Sequence, residues 1–259
     1  MQAIILCGGL GTRLKEETEF RPKPMVKIGT RPILWHIMKI YASYGIKDFI
    51  LALGYKGDMI KEYFYHYELM DNDITIELGK PGNQIIHQCN VNETGWKITL
   101  VNTGEKTLKG ARLKKVEKYL SGDEVMVTYG DGVADINLDA LLTFHRSHGK
   151  KATVTGVSTA SQFGELQIKG NHVERFREKP LTSDHFISGG FYVFNRSFFN
   201  RLTTDESCDL EAGPLEELAE EGELMVYKHS GKWACMDTIR DMDYLNRLWD
   251  NNEAFWKIW

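Results

Sequence analysis

The chain has 259 residues, 42% of them hydrophobic and 26% charged, with 24 glycines against 6 prolines. At roughly 150 residues per domain that is one large domain or a domain with an appendage, and the composition excludes a disordered or collagen-like chain. A net charge of -4 argues against a nucleic-acid partner, which needs a basic excess or face, yet leaves room for an anionic small ligand held by a few focused cations.

Gln2 to Cys7 is an isoleucine-rich apolar run ended by Gly8 and Gly9, the pattern of a buried strand breaking into a glycine loop. Ile33, Leu34, Ile37, Met38, Tyr41 and Tyr44 then mark one helix face. Thr30 is placed to cap that helix, Pro32 falls in its first turn and Gly45 stops it. Asp48 to Leu53 reads as a second buried strand and Gly57 to Tyr65 as a short helix. This βαβα rhythm predicts a Rossmann-like, mostly parallel sheet flanked by helices.

Further strands are expected at Asp73 to Leu78, Lys97 to Val101 and Glu124 to Tyr129, with a basic amphipathic helix at Lys109 to Leu120 and another helix from Asn137 to His148. Beyond Ala152 the pattern turns strand-rich, at Ala152 to Val157, Gly164 to Ile168 and Ile187 to Phe194, which predicts an antiparallel extension of the sheet. Pro214 to Glu221 reads as an acidic helix, Leu224 to Lys228 as a late strand and Thr238 to Asn252 as a closing helix. No repeat or linker interrupts the chain. The break near 150 is a change of topology within one domain, which divides it into residues 1–150 and 151–259.

The longest apolar runs, Ala3 to Cys7 and Phe49 to Leu53, are five residues each, far short of a membrane span. The N-terminus lacks a signal-peptide pattern, so a cytoplasmic location is expected. Cys7, Cys89, Cys208 and Cys235 are scattered, suggesting neither a zinc site nor a disulfide framework. His145 and His148 lie three apart on a helix without a further ligand and are expected on a solvated or half-buried face. Tyr63, Phe64, Tyr65 and Tyr67 are read as core or subunit interface. The aromatic tail of Trp249, Phe255, Trp256 and Trp259 must pack on its own core or on a second subunit.

The chemistry concentrates in Gly8-Gly9-Leu10-Gly11-Thr12-Arg13-Leu14 and Arg21-Pro22-Lys23-Pro24-Met25. A glycine loop after a strand exposes successive backbone N–H groups to a phosphate. Arg13 adds a fork of donors, and Lys23, between two prolines, a point charge. No Gly-Lys-Ser/Thr follows, so this is not a Walker A loop. Leu14 stands where a dinucleotide fingerprint needs its third glycine, which weighs against a nicotinamide oxidoreductase. Asp131, between Gly130 and Gly132 at the end of a buried strand, sits where open α/β sheets bind ligands. Asp237 is balanced between metal binding and capping the helix that follows.

Leu6-Cys7-Gly8-Gly9-Leu10-Gly11-Thr12-Arg13-Leu14 with Pro22-Lys23-Pro24-Met25 resembles the signature of the sugar-1-phosphate nucleotidyltransferases. Pro32 to Met38, Gly54-Tyr55-Lys56-Gly57 and Tyr129-Gly130-Asp131-Gly132 are similar to the glucose-1-phosphate cytidylyltransferase branch. The resemblance covers essentially the whole chain. Cys7 departs from the alanine of many relatives and is read as a small core residue. The resemblance implies transfer of CMP from CTP to α-D-glucose 1-phosphate, with Mg²⁺, by a homo-oligomer serving bacterial surface-polysaccharide (O-antigen) synthesis. It implies that Arg13 and Lys23 act on the phosphates, and that Leu6, Gly8, Gly9, Gly11, Thr12, Thr107, Arg112 and Gly130 bind the nucleotide. Asp131 and Asp237 would hold the metal, and Glu178, Lys179, Gly189 and Gly190 the sugar phosphate. Another phosphorylated acceptor with CTP, glucose 1-phosphate with UTP or dTTP, and a non-catalytic nucleotide-binding regulator are the alternatives.

Overall fold

The structure, a computed structural model, describes residues 1–79, 84–87, 93–158, 164–178 and 186–259. Seven strands form the central sheet: β1 (Gln2–Cys7), β2 (Asp48–Leu53), β3 (Lys97–Asn102), β4 (Glu124–Tyr129), β5 (Ala152–Val157), β6 (Ile187–Asn195) and β7 (Leu224–His229). Their order is β7-β5-β6-β4-β1-β2-β3. Every neighbouring pair is parallel except those of β6, which runs antiparallel to both β4 and β5. The second half therefore extends the sheet through an antiparallel strand, as its strand-rich pattern implies. One reversed strand lets β5 and β7 rejoin the parallel direction, and the remaining antiparallel pairs are small ladders such as Glu165–Lys169 with His172–Arg177.

Alternation along the strands divides the core in two, because successive side chains point to opposite faces. Ala3, Ile5 and Cys7 of β1 and Phe49, Leu51 and Leu53 of β2 join one core, with α1 (Ile33–Ser43), α2 (Gly57–Tyr65), α4 (Leu138–His148) and α5 (Ile239–Asp250). Ile4, Leu6, Ile50 and Ala52 face the other, against α3 (Lys109–Val116) and Phe198, Phe199 and Leu218. Each such Ile, Leu or Phe taken out of water contributes about 1.5–3 kcal/mol before chain entropy is counted.

Several local expectations are corrected. Thr30 does not cap α1: Gly29 and Thr30 turn a two-residue ladder, Lys27–Ile28 with Arg31–Pro32, and α1 opens with Pro32 at its N-cap. The Ile33 N–H donates to the Val26 carbonyl (2.8 Å), so no side-chain cap is needed there. The acidic helix is shortened to Glu216–Glu220, because Gly213 at φ 100° and Pro214 break the preceding turn. His145 is buried rather than solvated, its ring nitrogens lying 2.8 Å from Thr153 Oγ1 and 3.2 Å from Asn195 Oδ1. Tyr67 is buried under Trp35, whereas Tyr65 stands almost fully exposed. The aromatic tail packs on its own chain, with Trp256 wholly buried beside His36.

Candidate active site

The strand order reverses at β1, since β2 lies on one side of it and β4 on the other, so a crevice opens at the carboxyl ends of β1 and β4. A cavity of about 430 Å³ fills that crevice. Its lining gathers Leu6, Gly8, Gly9, Gly11, Thr12, Arg13, Lys23, Thr107, Arg112, Gly130 and Asp131 from four separate stretches of sequence.

Two short strands assemble the carboxylates. Gly132–Ala134 pairs antiparallel with Trp233–Cys235, and the Met236 N–H donates to the Asp131 carbonyl at 2.9 Å. Asp131 and Asp237 are thereby brought together at the end of that ladder. Thr238, not Asp237, caps α5: its hydroxyl accepts from Asp241 N–H, and the Asp241 carboxylate accepts from the Thr238 N–H. The Asp237 side chain is left for the site.

Lys23 lies between the two carboxylates, its Nζ 2.7 Å from Asp131 Oδ2 and also bonded to Asp237 Oδ1. Arg13 reaches Asp237 from the solvent side at 2.9 Å, with its side chain 75% exposed and so available to a ligand. Burial works against the Lys23 charge, but Asp131 and Asp237 outweigh it and hold the ammonium above its ordinary pKa. The Pro22-Lys23-Pro24 segment is pressed onto the Gly-Asp-Gly turn. A side chain on Gly130 would meet Leu6 O and Pro24 Cγ, both at 2.9 Å. The glycine and the proline are thus two parts of one contact.

Arg112 forms the floor. It is 4% exposed and donates to five acceptors: the carbonyls of Gly8, Leu53, Gly104 and Glu105, and Thr103 Oγ1. Burial lowers its pKa. The guanidinium ties the glycine loop, the end of β2 and the 103–105 loop into one wall. Thr107 is likewise engaged within the chain, donating to Thr103 O at 2.8 Å while Lys115 donates to it at 3.1 Å. Burial, reinforced by Asp131, pushes the Cys7 thiol well up, and burial with Asp237 raises Cys235 to about 12. Both thiols are held in the protonated form, and Cys7 is the buried core residue its position in β1 implies.

The sugar-side residues are gathered less tightly. Glu178 is exposed, following the strand His172–Arg177, and Lys179 lies outside the described residues. Gly189 and Gly190 open β6, but what approaches them is protein. A side chain on Gly189 would meet Val157 Cγ1 at 2.7 Å, and one on Gly190, at φ 77°, the Tyr129 ring at 2.6 Å. The Gly189 carbonyl accepts from Trp233 Nε1 at 2.8 Å, which ties this segment to the Asp237 ladder.

Two lining residues, Leu108 and Lys109, belong to none of the motifs that the sequence singles out. Lys109 opens the basic helix, pairs with Glu211 at 2.5 Å and stands over the Tyr129 ring. Glu211 arrives from a turn about a hundred residues further on, which no local pattern announces.

Asp131 on the cavity wall and Asp237 beside it, sharing one ammonium, suit a divalent cation that completes its shell with phosphate oxygens and water. The site as a whole offers backbone N–H groups, two cations and a carboxylate pair, a set that suits phosphoryl groups and a metal.

A model of the nucleotidyl transferase family matches residues 2–250. The chain is 48% identical to a glucose-1-phosphate cytidylyltransferase of Salmonella typhimurium, over the full length of both. It is 44% identical, again over both full lengths, to a probable glucose-1-phosphate cytidylyltransferase of Bacillus subtilis. Among solved structures, HddC from Yersinia pseudotuberculosis superposes with a TM-score of 0.70 at 22% identity, covering 96% of this chain and 99% of that one, a likeness of fold. With its glycine loop, its Pro-Lys-Pro segment and its aspartates paired through Lys23, the chain belongs to the nucleotidyl transferase family.

Proposed function

We propose that the protein transfers CMP from CTP to α-D-glucose 1-phosphate, releasing pyrophosphate and forming CDP-glucose. The observation that carries this reading is the 48% identity over both full lengths to a glucose-1-phosphate cytidylyltransferase, on a chain whose cavity converges phosphate-binding groups.

A phosphate oxygen of the sugar attacks the α-phosphorus in line, the bond from that phosphorus to the bridging oxygen breaks, and pyrophosphate departs. The attacking oxygen is already anionic, so no general base is required. The protein must bring two anions together and stabilise charge on the equatorial and leaving oxygens. The glycine loop, through Gly8, Gly9, Gly11 and Thr12, presents N–H groups to the triphosphate. Arg13, exposed beside the cavity mouth, steadies the transferred and leaving phosphates, and Lys23 the α-phosphate. Arg112, its Nη groups engaged by carbonyls and the Thr103 hydroxyl, shapes the wall against which the nucleoside lies, with Leu6, Thr107 and Gly130. Asp131 and Asp237 would hold Mg²⁺, which would neutralise phosphate charge. Glu178, Lys179, Gly189 and Gly190 form the acceptor side.

Residues 1–150 thus act as the nucleotide half of the molecule and 151–259 as the sugar-phosphate half. We place the enzyme in the cytoplasm, as a homo-oligomer, feeding surface-polysaccharide synthesis. For location, the structural support is that no helix among the described residues is long and apolar enough to cross a membrane.

Pyrophosphate release with glucose 1-phosphate and Mg²⁺, run in parallel with CTP, UTP, dTTP, ATP and GTP, tests the reading. Release with CTP alone is expected. Release with another nucleotide would keep the reaction and discard the base, and silence with all five would remove glucose 1-phosphate as acceptor.

A further inference from the structure

A second cavity, about 500 Å³, lies behind the active site, between the end of β3, the C-terminal turn of α3 and the segment that follows β6. Four cations line it, Lys114, Lys115, Lys118 and Arg196, against one lining carboxylate, Glu117. In a chain of net charge -4 that is a pronounced local excess. The negative end of the α3 dipole accounts for lysines in its last turn. It does not account for Arg196, which comes from beyond β6 and aims Nη1 at the Leu120 carbonyl, 3.3 Å away.

These cations are oriented by the fold. Lys114 donates to Phe199 O at 2.9 Å and pairs with Glu117 at 2.7 Å. Lys115 donates to Thr103 O at 2.9 Å and Thr107 Oγ1 at 3.1 Å, with Glu206 at 3.9 Å. An ammonium has three donors, so each retains capacity after these bonds. Among the described residues no carboxylate pairs with Lys118, which lies over the Tyr119 ring.

We propose that this cavity is a second anion site, for an oligophosphate, and that it shares a wall with the nucleotide cavity through Lys115. Single phosphates would neutralise one or two of the cations, whereas a chain of phosphates can meet all four. Lys115 binds Thr103, whose hydroxyl accepts from Arg112, and Thr107, which bonds to Thr103 and lines the nucleotide cavity. An anion that draws Lys115 toward itself loosens that bracing, so occupancy of the two sites is coupled, and coupling of binding is reciprocal. The site is independent of which nucleotide or acceptor the active site uses.

Isothermal titration of the full chain with inorganic tripolyphosphate tests it directly. Two bound per chain are expected in the wild type. Lys118→Glu should weaken one of the two at least about tenfold while leaving the rate of CDP-glucose formation without added anion unchanged. Arg13→Ala should weaken the other and leave the Lys118-dependent one. Repeating the titration in Arg13→Ala with pyrophosphate and with CTP tells a product-derived ligand from a nucleotide. One bound tripolyphosphate in the wild type, or two bound with equal affinity in wild type and Lys118→Glu, overturns the proposal. Lys118→Ala with a matched unfolding midpoint guards against a folding defect in the charge reversal.

Discussion

Gly8 and Gly9 adjoin in sequence and differ in what they must accommodate. A methyl group on Gly8 would lie 2.1 Å from Arg112 Cζ, whereas one on Gly9 meets nothing within 4 Å. Gly8→Ala must therefore expel the guanidinium from its carbonyl partners and should lower the unfolding midpoint and nucleotide affinity together. Gly9→Ala should leave the midpoint within about 2 °C and still raise KM for CTP, because only a ligand needs that space. Calorimetry beside steady-state kinetics separates them, and equal loss of midpoint in both would show that Gly9 also has a packing role. Arg13→Ala removes an exposed donor and should lower kcat/KM by about 100-fold or more with little change in stability. Unaltered turnover would remove Arg13 from the mechanism. Lys23→Ala differs, since it strips Asp131 and Asp237 of their shared cation. The facing carboxylates then repel one another, so the variant should unfold at lower temperature than the wild type and recover more than the wild type does on adding MgCl₂. A metal response no larger than that of the wild type would argue against those aspartates as the cation site.

At the scale of elements, the long buried strands β1 and β2 were legible because five apolar residues ended by glycine have few other readings. The ladder that unites Asp131 with Asp237 was not legible. Its strands are three residues each, too short to display a period, and their pairing spans about a hundred residues. Asp237 could equally have capped a helix until the structure gave that task to Thr238. Arg112 and Thr107 could be tied to the nucleotide cavity only by resemblance, since an arginine amid lysines on a basic helix carries no mark of burial. The cap itself supplies a test. Thr238→Ala removes the hydroxyl that accepts the Asp241 N–H and should cost about 1 kcal/mol, read as a lower urea midpoint at unchanged slope. It also loosens the Asp241 carboxylate, which accepts the Asp237 N–H at 3.1 Å. A fall in kcat larger than the fall in stability explains is therefore expected. Normal kcat in a destabilised variant would mean that Asp237 is held by the ladder alone.

At the scale of the whole molecule, the tail closes the first core over His36. Trp35, Trp249, Trp256 and Trp259 surround that imidazole, Trp256 Nε1 lies 3.3 Å from Nδ1, and Nε2 lies 3.0 Å from the Ile28 carbonyl. Indole N–H is a donor only, so Nδ1 accepts and Nε2 carries the proton that the carbonyl receives. Both nitrogens are thus satisfied by a neutral ring, and a second proton would face the indole N–H. Burial, with Arg31 and Lys257 adding to it against the backbone bonds, lowers the pKa from an ordinary 6.5 to about 4. In the unfolded chain the same side chain titrates near 6.5. Above that pH neither state is protonated and the full stability is present. Between about 6.5 and 4 only the unfolded state takes up the proton, so stability falls with falling pH by up to about 1.4 kcal/mol per unit from this residue. The same tail carries Trp249 against Gly29, and Asn246 of α5 accepts the Gly29 N–H at 2.8 Å, so the closure reaches the ladder that follows Lys23. His36→Gln keeps an acceptor and a donor without the titration. Its stability deficit relative to the wild type should be largest at pH 7 and shrink steadily toward pH 5 in urea unfolding. A deficit that stays constant across that range would mean that His36 is not the group through which acid opens the tail.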